Sequence, residues 1–122
     1  MHSVQLQNLS TALPLPITAT YCDTFWSRFR GLMLRPALAP LAGLILANPS
    51  DNRMDAAIHM LFMNFDITAV WVNSQNTVVD VKLARRWHPF YIPQAAGRFV
   101  LELHPDQQAH FKVGDRIEMT NA

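Results

Sequence analysis

The residues that could do chemistry in this sequence fall in three places. The first is His59, set inside the apolar run AIHMLFMNFDITAVWV (57–72) beside Asn64, Asp66 and Thr68. A buried histidine needs a partner for each ring nitrogen. His59 therefore reads as a ligand or general base or, more simply, as a hydrogen-bonded and partly buried structural residue, and the simpler reading is preferred. The second place is the carboxylate pair Asp66 and Glu102, both on predicted strands. Two carboxylates could bind a cation or exchange protons. Glu102 lies between Leu101 and Leu103, so it takes the opposite strand face from them. Its simpler reading is a solvent-facing residue, or an ion pair with an arginine such as Arg30 or Arg98. The third place is the loop RRWHPFY (85–91), which brings Arg85, Arg86, Trp87, His88, Phe90 and Tyr91 together. Cations and aromatics in one loop suit an anionic or planar ligand, or a protein partner. The alternative is a loop that buries its own aromatics.

Other constellations are missing. His59, His88, His104 and His110 include no pair at short metal-ligand spacing on a helix, so neither a metal nor a cofactor is expected. Cys22 is the single cysteine, which excludes an internal disulfide and a thiolate zinc cluster. Its position before a helix could activate the thiol, but a small buried hydrophobe is the commoner case. The chain has no Gly-rich phosphate loop and no Gly-x-Ser-x-Gly elbow. Met33, Met54, Met60 and Met63 with Phe25, Trp26, Phe62 and Phe65 could line a soft apolar cavity; ordinary core is the preferred reading.

These residues need a scaffold, and the bulk properties say which kind. The chain has 122 residues, enough for one domain spanning 1–122. It is 50% hydrophobic and only 16% charged, against a typical charged share of about 25%. Disorder is excluded, and few charges are left to cover the surface, so an apolar patch or a homo-oligomer face is expected to be available. The net charge of +1 leaves no nucleic-acid footprint. Arginine dominates the basic residues, but it is scattered along the chain. No window of about 18 clean apolar residues marks a membrane span, nothing resembles a signal peptide, and the cytoplasm is the expected location.

Periodicity supplies the elements. VQLQNL (4–9) alternates and reads as a strand, followed across a Pro14–Pro16 segment by ITATYC (17–22). Asp23 or Thr24 makes an N-cap, and the apolar residues at 25, 26, 29, 32 and 33 fit one face of a short helix. GLILAN (43–48) reads as a buried strand and 49–55 as a loop. DITAVWVN (66–73) and TVVDVKLA (77–84) read as a hairpin with Asn76 at the left-handed turn position. RFVLEL (98–103) is a strand, HPDQQAHF holds one helical turn, and VGDRIEM (113–119) closes as a strand after a Gly114–Asp115 turn. About seven short strands and one short helix predict an α+β fold, mainly antiparallel β: a compact barrel-like β domain.

Three pieces then line up in order: RFRGLMLR followed by GLIL, IHMLFMNFDITAVWVNSQNTVVDV, and VLEL followed by VGD. This pattern resembles the bacterial and archaeal family known as domain of unknown function 192, over roughly residues 17 to 119. The resemblance implies a barrel-like β-rich domain with a short helix, and no reaction. Thr68 stands where the family usually has Asp, and Asp66 where it often has Pro. Asn76 replaces the turn glycine, and the loop after Leu103 lacks glycine.

The leading expectation is a non-catalytic domain that binds a small ligand or a protein partner. The binding residues would come from His59, Asp66, Arg85, Arg86, Trp87, His88, Tyr91 and Glu102, with the 85–91 loop at the centre. The rival is a small enzyme, with or without a metal, using His59 or His88 with Asp66 or Glu102. A third reading is a homo-oligomeric structural domain. Neither nucleic acid nor membrane is expected as a partner.

Overall fold

The structure, a computed structural model, describes residues 2–122. Its elements are β1 (His2–Asn8), β2 (Ile17–Cys22), α1 (Phe25–Arg30), β3 (Ala42–Asn52), β4 (Ile67–Val72), β5 (Val78–Ala84), β6 (Gly97–Leu103), a 3-10 turn (Pro105–His110) and β7 (Ile117–Asn121). The seven strands form one sheet in the order β5-β4-β6-β3-β2-β1-β7. All neighbours are antiparallel except β2 and β3. That parallel pair needs a crossover, and α1 lies within it.

The sheet curls into a half-barrel. Its two ends meet where the β4–β5 turn touches the approach to β7: Thr77 bridges Arg116, Val78 N–H donates to Asp115 O at 2.8 Å, and Ile117 N–H donates to Asn76 O at 2.8 Å. Asn76 has φ +60°, the left-handed conformation expected of it. The concave face holds one core, including Leu6, Ile17, Ile45, Val70, Val72, Leu101 and Leu103.

The convex face is covered as well. Leu44, Leu46, Ile67, Ala69, Trp71 and Val100 point outward from the strands and are buried by Leu32, Ala56, Ile58, Met60 and Met63. The covering segment is pinned by Trp71, whose indole N–H donates to Ala56 O at 2.7 Å, and by an isolated bridge between Ile58 and Tyr91. Every residue of β4 is therefore buried, on both faces. The apolar run 57–72 divides at Ile67, with an irregular covering segment before it and a strand after.

Three local expectations are corrected. Residues 49–52 continue β3 instead of forming a loop; Pro49 is accommodated because the register with β6 shifts between Ala47 and Asn52. Strand β7 begins at Ile117, because Gly114 at φ +96° and Asp115 are used by the closing turn. Helix α1 forms with the expected cap: Thr24 Oγ1 accepts from Ser27 N–H, and Ser27 Oγ accepts from Thr24 N–H, both at 3.1 Å. Its aromatic residues, however, are not core. Phe25 and Phe29 stack and Trp26 meets both edge-on, all three exposed, with Trp26 73% exposed.

Candidate functional site

A cavity of about 440 Å³ lies between α1 and the convex face of the sheet. Strand parity puts Glu102 on the same face as Val100, so its side chain points away from the barrel core, as its position between Leu101 and Leu103 requires. That face is not solvent, because the covering segment closes over it. Glu102 is only 4% exposed and forms the cavity floor with Val100, Leu46, Leu32 and Met63. Gly31 makes the room. Its φ of +47° suits glycine, and a Cβ there would stand 3.0 Å from Glu102 Oε1.

His59 lines the same cavity, brought there by the irregular 57–63 segment. Its Nε2 lies 3.0 Å from Phe29 O, and its ring packs on the Phe29 ring at 5.3 Å. A carbonyl can only accept, so Nε2 carries the hydrogen and Nδ1 of the neutral ring is a bare acceptor. Among the described residues, the buried side-chain polar atoms without a hydrogen-bond partner are His59 Nδ1 and Glu102 Oε1. An orphaned buried polar group costs about 1–3 kcal/mol, and the two residues that carry these atoms line one cavity. Burial pushes the Glu102 carboxyl up to about 7. The mouth is lined by the exposed Phe25, Phe29, Arg30 and Asp55. Arg28 also reaches it but is committed to main-chain carbonyls, donating to Asp23 O at 2.7 Å and Ala47 O at 3.2 Å.

The other proposed site residues lie elsewhere. Asp66 accepts from the Arg86 main-chain N–H at 2.9 Å and pairs with its guanidinium at 3.1 Å. The Arg86 backbone hydrogen bond holds its carboxyl below the ordinary range. This pair borders a second depression of about 260 Å³ with His104 and Phe65. Arg85 is exposed, and His88 packs against half-buried Tyr91 at 4.4 Å. The loop also holds the segment that carries His59, through Trp87 N–H to Met60 O at 2.8 Å and Met60 N–H to His88 O at 3.1 Å. Of the His and carboxylate combinations considered for an enzyme, only His59 and Glu102 share a cavity.

Thr68 points into the barrel, where its hydroxyl donates to His104 O at 3.0 Å and Pro105 O at 3.2 Å. It braces the glycine-free 3-10 turn and does not face the cavity. Cys22 is buried and outside any disulfide, and burial followed by the Glu102 charge pushes its thiol up, away from nucleophilic character. Sequence reasoning passed over Gly31 and Arg28 as parts of a site. The signal for Gly31 and Arg28 was RFRGLMLR itself, which marks family membership but does not say what it packs against. Phe25 and Met63, two of the residues considered for a soft cavity, do line this one.

The sequence profile of DUF192, an uncharacterised family, matches residues 7–119. The chain belongs to the DUF192 family. A UPF0127 protein of Thermococcus gammatolerans is 48% identical over 80 residues, which is 66% of this chain and 50% of that protein. One of Pyrococcus furiosus is 32% identical over 113 residues, 91% of this chain and 94% of that protein. The aligned region thus spans about half the length of the T. gammatolerans relative and nearly all of the P. furiosus one. These relatives are archaeal; the similar solved structures are bacterial. A candidate transcription regulator from Sinorhizobium meliloti 1021 has a TM-score of 0.82 at 20% identity, covering 96% of this chain and 92% of that one. A protein of unknown function from Novosphingobium aromaticivorans has a TM-score of 0.76 at 18% identity, covering 95% and 83%. At these identities the likeness is one of fold. Within this DUF192 domain, the segments that carry the family resemblance converge on the cavity: Arg28 to Leu32 from RFRGLMLR, Leu46 at the end of GLIL, Ile58, His59 and Met63 from the central run, and Val100 and Glu102 from VLEL.

Among the described residues, no cluster of three His, Cys, Asp or Glu has metal-holding geometry, and no helix is long and apolar enough to cross a membrane.

Proposed function

We propose that this DUF192 domain binds a small organic ligand, without chemistry, in the cavity between α1 and the sheet. The observation that carries this reading is that the two residues with a partnerless buried side-chain atom, His59 (Nδ1) and Glu102 (Oε1), both line that one cavity. Polar orphans in apolar walls describe a small-molecule site. Binding is favoured over catalysis because His59 Nε2 is committed to Phe29 O and the lining residues include no hydroxyl, thiol or amine nucleophile for His59 or Glu102 to activate. The 85–91 loop takes part by holding the 58–63 segment in place. A cytoplasmic setting goes with a single buried thiol.

A thermal-shift panel of small amines, alcohols, acids and nucleotides tests this. A ligand at about 100 times its dissociation constant adds about 2.7 kcal/mol, a rise of several degrees for a domain of this size. The shift is expected to vanish in Glu102→Ala and His59→Ala and to survive in Arg86→Ala. A shift sensitive only to Arg86 would move the site to the loop.

A specific observation supports a second reading, a protein partner or second copy. Leu34, Phe62 and Trp87 are large, exposed and at positive φ (65°, 60° and 67°). They sit together: Leu34 N–H donates to Phe62 O at 2.9 Å, and the Phe62 and Trp87 rings are 5.3 Å apart. Strained backbone that presents apolar tips is a feature of contact surfaces. Sedimentation showing a monomer at high concentration, unchanged by Trp87→Ser, would remove the self-association form of this reading.

A further inference from the structure

We propose that the cavity selects an organic ammonium: a protonated amine on an apolar body, its nitrogen seated between Glu102 Oε1 and His59 Nδ1. This deepens the small-ligand reading and rests on it. His59 Nε2–H is spent on Phe29 O, so the ring offers the cavity an acceptor. Ionised Glu102 offers only acceptors. A ligand group that satisfies both must donate at least two hydrogens, which an ammonium does and an ether, ketone or carboxylate does not. An alcohol supplies one.

Charge decides between an ammonium and a neutral donor. A carboxylate in this apolar floor is desolvated with no cation beside it, and Val100, Leu46, Leu32 and Met63 surround it. A neutral amide or hydroxyl would leave that charge uncompensated, whereas a cation pairs with it in a low-dielectric site where attraction is strong. The titratable and charged groups facing the cavity are Arg28, Arg30, Asp55 and His59. Arg28 donates to two carbonyls, and Arg30 and Asp55 are exposed at the mouth with opposite signs, so water and salt screen them. The apolar body would lie along Phe29, Leu32 and Ile58, and Phe25 and Phe29 offer ring faces to a cation entering.

The test is titration calorimetry on the full chain with three probes of one shape: 2-phenylethylammonium, 2-phenylethanol and 3-phenylpropanoate. At pH 8 the ammonium is expected to bind at least tenfold more tightly than the alcohol, with the carboxylate weakest. Because the ammonium requires ionised Glu102, its affinity should fall roughly thirtyfold from pH 8 to 5.5, the ratio set by a carboxyl titrating at about 7. Glu102→Gln tests whether the acid sets that dependence. This variant is expected to bind alcohol and ammonium alike. If it does not fold, His59→Phe, which removes one acceptor and keeps the acid, should retain the pH dependence at weaker affinity. Alcohol or carboxylate binding as tightly as ammonium would overturn the ligand class while leaving the cavity as a site. No binding by any probe at millimolar concentration would overturn both readings.

Discussion

Asp115 and Glu102 are both nearly closed to water, at 5% and 4% exposed, but Glu102 lies far deeper in the protein, and the two are served in opposite ways. Asp115 Oδ2 accepts hydrogen bonds from Asn8 Nδ2 at 2.9 Å, Lys112 N–H at 3.0 Å and Thr11 Oγ1 at 3.3 Å. Its burial opposes ionisation, but these donors outweigh it and hold the carboxyl below the ordinary range. Asn8 also ties to His110 O at 2.9 Å. The group locks the start of β7 to the end of β1 and helps close the half-barrel. Glu102 has a partnerless oxygen beside open space, and burial alone sets its titration. A buried carboxyl that only holds a fold together needs its donors within the fold. One whose oxygen lacks them is costly to the fold, and a ligand is what would supply them.

Removing Asp115 should have the largest effect. Asp115→Ala is expected to lose about 3 kcal/mol or more, because charge-assisted bonds are worth about 1.5–3 kcal/mol each and their donors are left behind. Its folded-state carboxyl titrates below the unfolded one, so its stabilisation is present above the unfolded value of 3.8 and is lost as pH falls. Urea denaturation of wild type and variant should therefore converge toward acid.

Glu102→Gln should do the reverse. The folded-state carboxyl titrates at about 7 against an ordinary value of 4.5, so the wild type is fully stabilised below 4.5 and loses that stability as pH rises through 7. The shift corresponds to about 3 kcal/mol. The variant is expected to be more stable than wild type by about 2 kcal/mol at pH 8, since the buried amide also lacks a partner. At pH 4.5 the gap should close. If Glu102→Gln is destabilising at pH 8, Glu102 is a structural residue like Asp115.

Gly31→Ala should cost about 1–3 kcal/mol, because φ +47° with ψ −126° lies in a region that residues with a Cβ scarcely populate. It should also weaken any cavity ligand, because its Cβ would crowd Glu102 Oε1. The smallest effect belongs to the exposed Asp66–Arg86 pair. Arg86→Ala is expected to change stability by less than about 1 kcal/mol and to leave cavity binding intact, as measured by denaturation and calorimetry together.

Most of the scaffold was legible in the sequence because strands announce themselves by alternation. ITATYC, the Asn76 hairpin and RFVLEL sit where periodicity and turn chemistry put them. Parity also placed Glu102 opposite Leu101 and Leu103. It could not say what covers that face, since burial there depends on Leu32, Ile58 and Met63, which come from irregular segments with no period. For the same reason α1 was assigned a core face that is in fact exposed: the helix is too short to lie flat on the sheet, and Leu32, just beyond it, does the packing. The RRWHPFY loop drew attention by composition, whereas the Glu102–His59 cavity depends on Gly31 at φ +47°, which a sequence does not display.

The most direct measurement is a carboxyl-carbon NMR titration of Glu102, with and without 2-phenylethylammonium, using Asp115 as the internal reference. Glu102 is expected to titrate near 7 in the free protein and to move well down toward ordinary carboxylate values when the ammonium is bound, while Asp115 stays low throughout. A free-protein midpoint in the ordinary range, or one the ammonium does not move, would contradict a partnerless acid waiting for a donor.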